Sequence, residues 1–394
     1  MKVLITHPGR QHSHQAALAL DKAEMLAGYW AGVPAMEEQI RRVPGFLRGR
    51  FSRYAPVALE PERSRWFPWT PALRRTGDSL LPPAGAAWTD FAACRLFDRW
   101  AARSLAALRA DAVIACEISA VATFGVARRR GMAAILDAPS IHHAAQDRLH
   151  GTTDPPALHR RIVRIKDEEI ALADHILTVS ELARQTYLDA GVPAGKAHAV
   201  PLGADLDLFS PSGERKSGPL TFLFAGATIR RKGFDLLLEA FDRVHVSQPG
   251  ARLRIAGTRG DSGHLLDRRS RDGVVDLGPR TQSQLAEELR QADVLVLPSR
   301  NDSYGMVVAE ALASGIPVLI SAMVGAKDLV TEGSSGWIVP VEDVAALADR
   351  MAWCAGHPEA VRAMGPACRR AAEAATWPAY HRRLAALVRA LVSG

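Results

Sequence analysis

Short apolar runs that end at Gly, Pro or Ser alternate along the chain with longer stretches of helical periodicity. Residues 2–6 and 220–225 are two such runs, and each is followed by a turn-rich loop and a helical pattern. Each pattern predicts a strand, its exit loop and a helix. The same alternation continues through both halves, as expected for parallel sheets covered by helices. The sequence therefore predicts an α/β protein with doubly wound domains, which bind ligands at the carboxyl ends of their strands.

A change in composition near the middle of the chain marks a domain boundary. Residues 211–219, Pro-Ser-Gly-Glu-Arg-Lys-Ser-Gly-Pro, have the composition of a linker. We expect an N-terminal domain over 1–210 and a C-terminal domain over 211–377, and 394 residues suit two domains. Beyond Trp377, an amphipathic helix over 378–394 is expected to pack back onto the first domain.

The pattern inside the first half is less regular. Residues 14–27 are predicted to form one helix after the first strand, and residues 112–116 and 133–136 are predicted strands. Between residues 41 and 75, Arg, Pro and aromatic residues replace the periodic pattern, so regular core structure is improbable there. Two interpretations of this segment stay open. Its arginines and aromatics suit an anionic membrane or a lipid-linked acceptor, or the segment is a surface excursion whose aromatics pack on the domain. The arginines that would meet an anionic surface are Arg48, Arg50 and Arg65.

Composition narrows the class of protein. A content of 48% hydrophobic and 23% charged residues is that of a soluble globular protein. No apolar run approaches the roughly 18 residues of a membrane span, and no signal peptide is recognisable, so we expect a cytoplasmic protein. The four cysteines are scattered without metal-ligand spacing, which argues against zinc and disulfides. The net charge of +7 favours anionic partners. No nucleic-acid recognition motif is found, so nucleic acid is not an expected partner.

The strongest candidate for chemistry is the stretch 302–310. Asp302 precedes a predicted helix, and Glu310 lies inside it among apolar residues, where a buried carboxylate needs a partner. The amides of residues 303–305 are expected to face a ligand at the helix N-terminus, a place that favours phosphate. Carboxylates for hydroxyl groups and amides for phosphate together match the chemistry of a nucleotide sugar.

Basic residues and histidines supply further candidates. Lys232, with Arg230 and Arg231, precedes a predicted helix where charged contacts to phosphate are favoured, although solvated basic residues have the same pattern. His142 and His143 follow a predicted strand end. A histidine there either contacts the substrate or is a structural residue whose hydrogen bonds are made within the protein. The first loop also holds a polar cluster, interpreted as a site or as ordinary loop residues: His7, Gly9, Arg10, His12 and His14.

Three stretches together, 226–239, 292–299 and 302–310, resemble the retaining, GT-B-fold glycosyltransferases of glycosyltransferase family four. The resemblance implies two Rossmann-like domains facing across a cleft, with a nucleotide-sugar donor in the C-terminal half. It also implies a glycan or lipid-linked acceptor on the N-terminal side, as in cell-surface polysaccharide biosynthesis, on the cytoplasmic face of the inner membrane. A same-fold sugar-nucleotide epimerase or phosphorylase and a non-catalytic nucleotide-sugar or glycan-binding protein are the alternatives.

The resemblance also assigns roles by position. Glu310 would hold the ribose hydroxyls, Lys232 the diphosphate, and Asp302, where the family usually has Glu, the transferred sugar. The family's arginine five residues before the lysine is replaced by Ala227. A front-face displacement with an electrostatically stabilised leaving diphosphate is implied, without a metal or other cofactor. The predicted catalytic residues are Lys232, Asp302 and His142, with His143 as the alternative to His142. The predicted donor-binding residues are Glu310, Tyr304, Gly305, Met306, Val307, Arg231, Arg230, Gly226 and Arg280.

Overall fold

The computed structural model describes residues 1–41, 43, 57–213, 218–267 and 272–393, with only the backbone of residue 150. The chain divides into two compact units. The first unit contains Met1–Val179, Arg184–Val200 and the chain from Tyr380 onward. The second contains Ser180–Ala183 and Pro201–Ala379. Arg48 and Arg50, which were predicted to meet an anionic surface, lie outside the described residues.

The first unit is built on a parallel sheet of seven described strands in the order β3-β2-β1-β4-β5-β6-β7. The strands are β1 (Val3–His7), β2 (Leu26–Ala31), β3 (Ser64–Trp66), β4 (Ala112–Cys116), β5 (Ala133–Ala138), β6 (His175–Thr178) and β7 (Ala197–Ala199). The helices are α1 (Ser13–Lys22), α2 (Glu37–Arg41), α3 (Trp69–Leu80), α4 (Pro83–Leu105), α5 (Val121–Arg129), α6 (His143–His150), α7 (Pro156–Leu172) and α8 (Glu181–Asp189), and Pro61–Arg63 form a 3₁₀ turn.

Burial of apolar strand and helix faces holds this unit together. Phe97 and Leu105 of α4 and Phe124 of α5 pack with Leu136 of β5 in one core cluster, and each is fully or almost fully buried. The central strands β1 and β4 are buried along their whole length, as parallel strands covered on both faces must be. The short apolar runs in the sequence therefore correctly predicted strands of this sheet.

Two predictions for the first unit are wrong. The helix predicted over 14–27 ends at Lys22, because Glu24 adopts a positive φ of 59° and turns the chain into β2. No glycine marks this turn, so the sequence gives no stop signal. Regular structure also exists between residues 41 and 75, where β3 pairs with β2 and α3 begins at Trp69. A three-residue edge strand is too short to leave a periodic pattern.

The second unit has a parallel sheet of six described strands in the order β10-β9-β8-β11-β12-β13. The strands are β8 (Thr221–Ala225), β9 (Arg252–Ala256), β10 (Val274–Gly278), β11 (Val294–Leu297), β12 (Val318–Ser321) and β13 (Gly336–Val339). The helices are α9 (Phe234–Ser247), α10 (Gln282–Gln291), α11 (Met306–Ala313), α12 (Val344–Gly356), α13 (Pro358–Ala363), α14 (Gly365–Glu373) and α15 (Trp377–Ser393), with 3₁₀ turns at Arg230–Lys232, Gly263–Leu266 and Gly325–Leu329.

The boundary between the units falls at Pro201, ahead of the linker-like composition of residues 211–219. Hydrogen bonds tie the intervening segment to the second unit. The Tyr304 hydroxyl donates to the Leu202 carbonyl (2.5 Å), and the Arg369 guanidinium donates to the Phe209 carbonyl (2.8 Å). These contacts from Tyr304 and Arg369 attach residues 202–209 to the second unit. The local composition of the chain does not reveal such contacts.

The last helix, α15, starts in the second unit, and from Tyr380 onward it belongs to the first. Tyr380, Leu384 and Val388 are buried there, and His381 Nε2 bonds the Gln15 side chain of α1 (2.8 Å). Among the helices of the described ranges, none combines the length and apolar character needed to cross a bilayer.

Candidate functional site

The second unit places two loops side by side at the carboxyl edge of its sheet. β8 lies between β9 and β11, so the strand order reverses direction at the β8–β11 pair. The loop after β8 carries residues 226–233, and the loop after β11 carries residues 298–305. In a doubly wound sheet this switch point is where ligands bind.

Lys232 and Asp302, one from each loop, meet at this point. Lys232 Nζ donates to Asp302 Oδ2 in a short ion pair, and both side chains are mostly buried. The approach of the loops depends on Gly233, which has φ 68° and whose added Cβ would lie 2.0 Å from the Pro298 carbonyl oxygen. Gly226, also predicted in the site, borders the lysine stem, because a Cβ there would lie 3.9 Å from Lys232 Cε.

The backbone around Asp302 is held on both sides. Its N–H donates to the Met323 carbonyl (2.9 Å), and its carbonyl accepts from the Gly325 N–H (2.9 Å). The Tyr304 N–H, predicted to face a ligand, contacts Asp302 Oδ1 at 3.4 Å. The Asp302 carboxylate therefore has a set position between the lysine and this amide.

The start of α11 is shaped by the two residues before it. Gly305 has φ 82°, and a Cβ there would lie 2.8 Å from Val324 Cγ1, so the position requires glycine. The Tyr304 side chain is buried and is directed to the Leu202 carbonyl. Because the Tyr304 side chain is directed there, any contact of residue 304 with a ligand is left to its backbone. Met306 and Val307 form the first turn of the helix.

Glu310 is buried in α11 among apolar neighbours, as predicted. Burial raises the pKa of its carboxyl group to about 7, and a hydrogen bond from the Gln282 side chain opposes this rise. Gln282 is the first residue of α10, and sequence reasoning did not find it. A glutamine at a helix start carries no signal of its own, because its partner is 28 positions away.

Arg300 is a second residue that sequence reasoning missed. Its buried guanidinium forms two bonds to Asp235 (2.7 and 3.0 Å), one to Glu342 (2.6 Å) and one to the Arg230 carbonyl (2.7 Å). The Arg300 N–H also donates to the Arg231 carbonyl (2.9 Å). Arg300 thus fixes the turn that carries Lys232 against the loop that carries Asp302.

The other predicted arginines occupy different positions. Arg231 Nη1 donates to the Asn301 carbonyl (2.9 Å), whereas the side chain of Arg230 is exposed. Arg280 bonds Glu288 (3.3 Å), a residue that also pairs with Arg254. The structure therefore brings Arg231 beside the Asp302 loop and places Arg280 two residues before Gln282, the partner of Glu310.

His142 and His143 belong to the first unit. His142 caps α6, where its Nδ1 accepts from the Ala144 N–H (3.2 Å), so the neutral ring carries its proton on Nε2. Burial, and then His143 and Lys166, lower the pKa of His142 to about 4. His143 Nε2 is already engaged with Asp167 (3.0 Å). His142 Nε2 thus carries an N–H, whereas His143 Nε2 is paired with Asp167.

The polar cluster of the first loop is also in the first unit. His12 Nε2 pairs with Asp137 Oδ1 at 3.1 Å. Burial lowers the pKa of His12, but the Asp137 carboxylate outweighs this effect and the net pKa is raised. The pair is therefore a buried ion pair at the carboxyl ends of β1 and β5.

Two groups of potential metal ligands occur among the described residues, both in the first unit. One contains His7, Cys116 and Asp137, and the other His142, His143 and Asp167. His7 Nδ1 accepts from the Gly9 N–H (2.8 Å), so the proton of the neutral ring occupies Nε2 and leaves no free lone pair for a metal. The same argument applies to His142. In the geometry observed, each group therefore contains one histidine with its acceptor nitrogen in use and a proton on the other nitrogen.

The two Rossmann-like units define the fold as GT-B. Sucrose-phosphate synthase from Thermosynechococcus elongatus matches with a TM-score of 0.74 at 19% identity, over 100% of both chains. HepE from Anabaena, in complex with UDP, matches with a TM-score of 0.71 at 14% identity, over 99% of this chain and 100% of that one. At these identities the likeness establishes the fold alone.

Sequence similarity is concentrated in the second unit. Residues 207–371 match the family model described as "Glycosyl transferases group 1". A D-inositol 3-phosphate glycosyltransferase from Geodermatophilus obscurus is 33% identical over 214 residues, which is 49% of this chain and 47% of that protein. The chain thus spans about half the length of the curated relatives it matches. The matched range includes Lys232, Asp302 and Glu310.

The position of Arg300 leads to a first prediction. Arg300→Ala should lower the free energy of unfolding by about 1–3 kcal/mol, since three charged hydrogen bonds to Asp235 and Glu342 are lost while both carboxylates keep access to water. It should also displace Lys232 and so lower the turnover of the sugar transfer that we propose for this site. Denaturant unfolding and a steady-state assay of sugar transfer measure the two effects.

A matched control for Arg300 is Arg362, a similarly buried arginine of the second unit that pairs with Asp293 (2.9 Å). Arg362→Ala should cost comparable stability without a comparable loss of turnover. Equal losses of turnover in the two variants would contradict a positioning role for Arg300.

The raised pKa of Glu310 leads to a second prediction. In the folded protein the carboxyl holds its proton up to about pH 7, against an ordinary value of 4.5. Between these values the folded state binds more protons than the unfolded state, so stability falls as pH rises, by up to about 3 kcal/mol in total. Glu310→Gln should remove this contribution. Urea unfolding of both proteins from pH 5 to 8 measures it, and parallel stability curves would show that the pKa of Glu310 is ordinary.

Proposed function

We propose that this protein is a retaining glycosyltransferase that moves a sugar from a nucleotide-sugar donor to a glycan or lipid-linked acceptor. The observation that carries the proposal is the meeting of Lys232 with Asp302 at the β8–β11 switch point, eight residues before the buried Glu310. A cation for a diphosphate, a carboxylate for a sugar and a second carboxylate for a ribose thus come from two adjacent loops and helix α11.

The roles follow from the chemistry of each group. The Lys232 ammonium has three donors, so it can bind a phosphate oxygen while one N–H remains on Asp302. The N-terminus of α11 adds its dipole and the amides near Gly305. Stabilisation of the charge that develops on the leaving diphosphate is then the main catalytic contribution. We include metal independence in the proposal, because these groups are suited to neutralise the diphosphate.

Glu310 and Gln282 are proposed to receive the ribose. A ribose offers two neighbouring hydroxyl groups, and a carboxylate accepts from both. With a pKa raised to about 7, Glu310 loses its proton more readily when such donors replace the apolar surroundings. Pro279 and Arg280 precede Gln282 closely, so the base is proposed to rest against the backbone at the end of β10.

The acceptor is the less specified partner. The relatives named D-inositol 3-phosphate glycosyltransferases make a phosphorylated polyol one acceptor to test beside glycans and lipid-linked sugars. The proposal assigns His142 to the sugar side, with its Nε2–H as donor. It places the reaction in cell-surface polysaccharide biosynthesis, in the cytoplasm or on the inner face of the membrane.

The third prediction tests the transfer itself. Over a panel of nucleotide sugars and these acceptors, the protein should transfer one sugar with retention of anomeric configuration. Lys232→Ala should lower turnover by about 10²–10³-fold, as loss of one charge-stabilising donor does, which is a far larger effect than its effect on folding stability. Arg243→Ala, which removes an exposed cation of α9 that pairs with Glu239, is the control. Tight donor binding with no turnover on any acceptor would support a binding protein instead.

The fourth prediction concerns nucleotide affinity. Glu310→Ala should weaken binding of the free nucleotide by about 1–3 kcal/mol through the loss of charged hydrogen bonds. Isothermal titration calorimetry measures this change, with Glu239→Ala, an exposed carboxylate of the same unit, as the control. Unchanged affinity in Glu310→Ala would remove Glu310 from the ribose site without touching the assignment of Lys232.

A further inference from the structure

The helix α3 packs on its own unit with its small and polar side. Thr70, Arg74 and Gly77 follow one another at i, i+4 and i+7 and face the next helix, α4. A Cβ added to Gly77 would lie 1.8 Å from Thr89 Oγ1, Arg74 forms an ion pair with Asp90, and Thr70 is fully buried. The contact between α3 and α4 is therefore close and uses little apolar surface.

The apolar side of α3 is turned to solvent. Trp69, the half-buried Leu73 and Leu80 lie at i, i+4 and i+11 on one stripe of the helix. Trp69 is 62% exposed and Leu80 76% exposed, and Leu81, at the turn into α4, is 43% exposed. Single exposed apolar residues are ordinary, but a stripe of large ones marks an interaction surface.

The same face of the helical pair continues on α4 and is cationic. Leu96 is 41% exposed, and the exposed Arg99 and Arg103 follow it at i+3 and i+7. Arg75 and Asp78 are exposed on the opposite side of α3 from the apolar stripe, so the cations beside the stripe are those of α4. Residues 1–200 hold 26 basic and 20 acidic residues, so they carry six of the seven net positive charges of the chain.

We propose that this face, which we call the hairpin face and define by Trp69, Leu73, Leu80, Leu81 and Leu96, lies in the interface of an anionic lipid bilayer. A helix with Trp and Leu on one side and Arg beside them has the composition of helices that lie in the plane of a membrane surface. The arginines meet the lipid headgroups, and Trp69 occupies the boundary between headgroups and acyl chains.

Charge favours a bilayer over a second copy of this chain as the occupant. A two-fold dimer brings the same patch of both copies together. Arg99 and Arg103 would then approach the same arginines of the other copy, and like charges across an interface oppose association. An anionic membrane neutralises all of them.

Such contact would hold the chain where a lipid-linked acceptor is presented, and in this respect the inference rests on the proposed function. The contact itself requires no sugar transfer. Binding to vesicles is measured without donor or acceptor, so its failure would leave the transferase proposal untouched, and an inactive enzyme could still bind.

The experiment is co-sedimentation of the full chain with vesicles of phosphatidylcholine containing about one third phosphatidylglycerol. The wild type should bind these vesicles and bind pure phosphatidylcholine much more weakly. Trp69→Ser with Leu80→Ser should reduce binding at least about tenfold, because the two serines bury much less apolar area in the bilayer than Trp and Leu do. Val246→Ser with Val275→Ser, two exposed positions of the second unit, is the matched control and should bind as the wild type does.

A second readout locates the contact. The four native cysteines are buried, so Leu80→Cys can be labelled selectively with an environment-sensitive dye, whose emission should shift to the blue on anionic vesicles. Wild-type protein that stays in solution with anionic vesicles, or a double variant that binds equally well, would overturn the proposal. A concentration-dependent dimer in analytical ultracentrifugation that the double variant abolishes would assign the hairpin face to a second copy instead.

Discussion

The candidate donor site depends on the parallel pairing of β8 with β11. Val294 pairs with Phe222 and Leu295 with Leu223, so the two strands end at the same edge of the sheet. Their exit loops are therefore adjacent although Lys232 and Asp302 are 70 positions apart in the chain. No side-chain interaction needs to bring the two loops together, because the register of two buried strands already does so. The ion pair then sets the geometry within a site that the sheet has positioned.

Arg300 and Gly233 complete that geometry in different ways. Arg300 connects the turn at residues 230–231 to Asp235 and Glu342, so the lysine loop is held by backbone and side-chain contacts at once. Gly233 permits the same turn to approach Pro298, where any side chain would collide with backbone. A preorganised site requires such support, since a charged group that must first be ordered loses much of its effect. The lysine is thus held by its neighbours before any ligand arrives.

The sequence predicted the features that are local and missed those that depend on distant partners. The order of strands and helices, the buried carboxylate in α11 and the turn at Lys232 all follow from short patterns, and the fold is confirmed as GT-B. Gln282 and Arg300 were missed because an amide or guanidinium shows no preference in sequence for a partner 28 or 65 positions away. The strand β2 was partly read as helix, since the turn at Glu24 uses a residue that seldom adopts a positive φ. Every catalytic and donor-binding role assigned from the sequence, including those of Lys232, Asp302 and Glu310, stays a prediction.

The family that the sequence resembles usually has a glutamate at position 302, and Asp302 is one methylene shorter. Its contact with Lys232 indicates what the shorter side chain does there. The backbone of Asp302 is bonded to Met323 on one side and Gly325 on the other, so the side chain cannot gain reach by a shift of the main chain. Within that limit an aspartate reaches the ammonium and the Tyr304 amide. An ammonium presents three N–H donors, and a carboxylate occupies only part of them. The pair therefore orients Lys232 and leaves it a cation with donors to offer. The aspartate is thus a support for the lysine, in addition to the sugar contact that we propose for it.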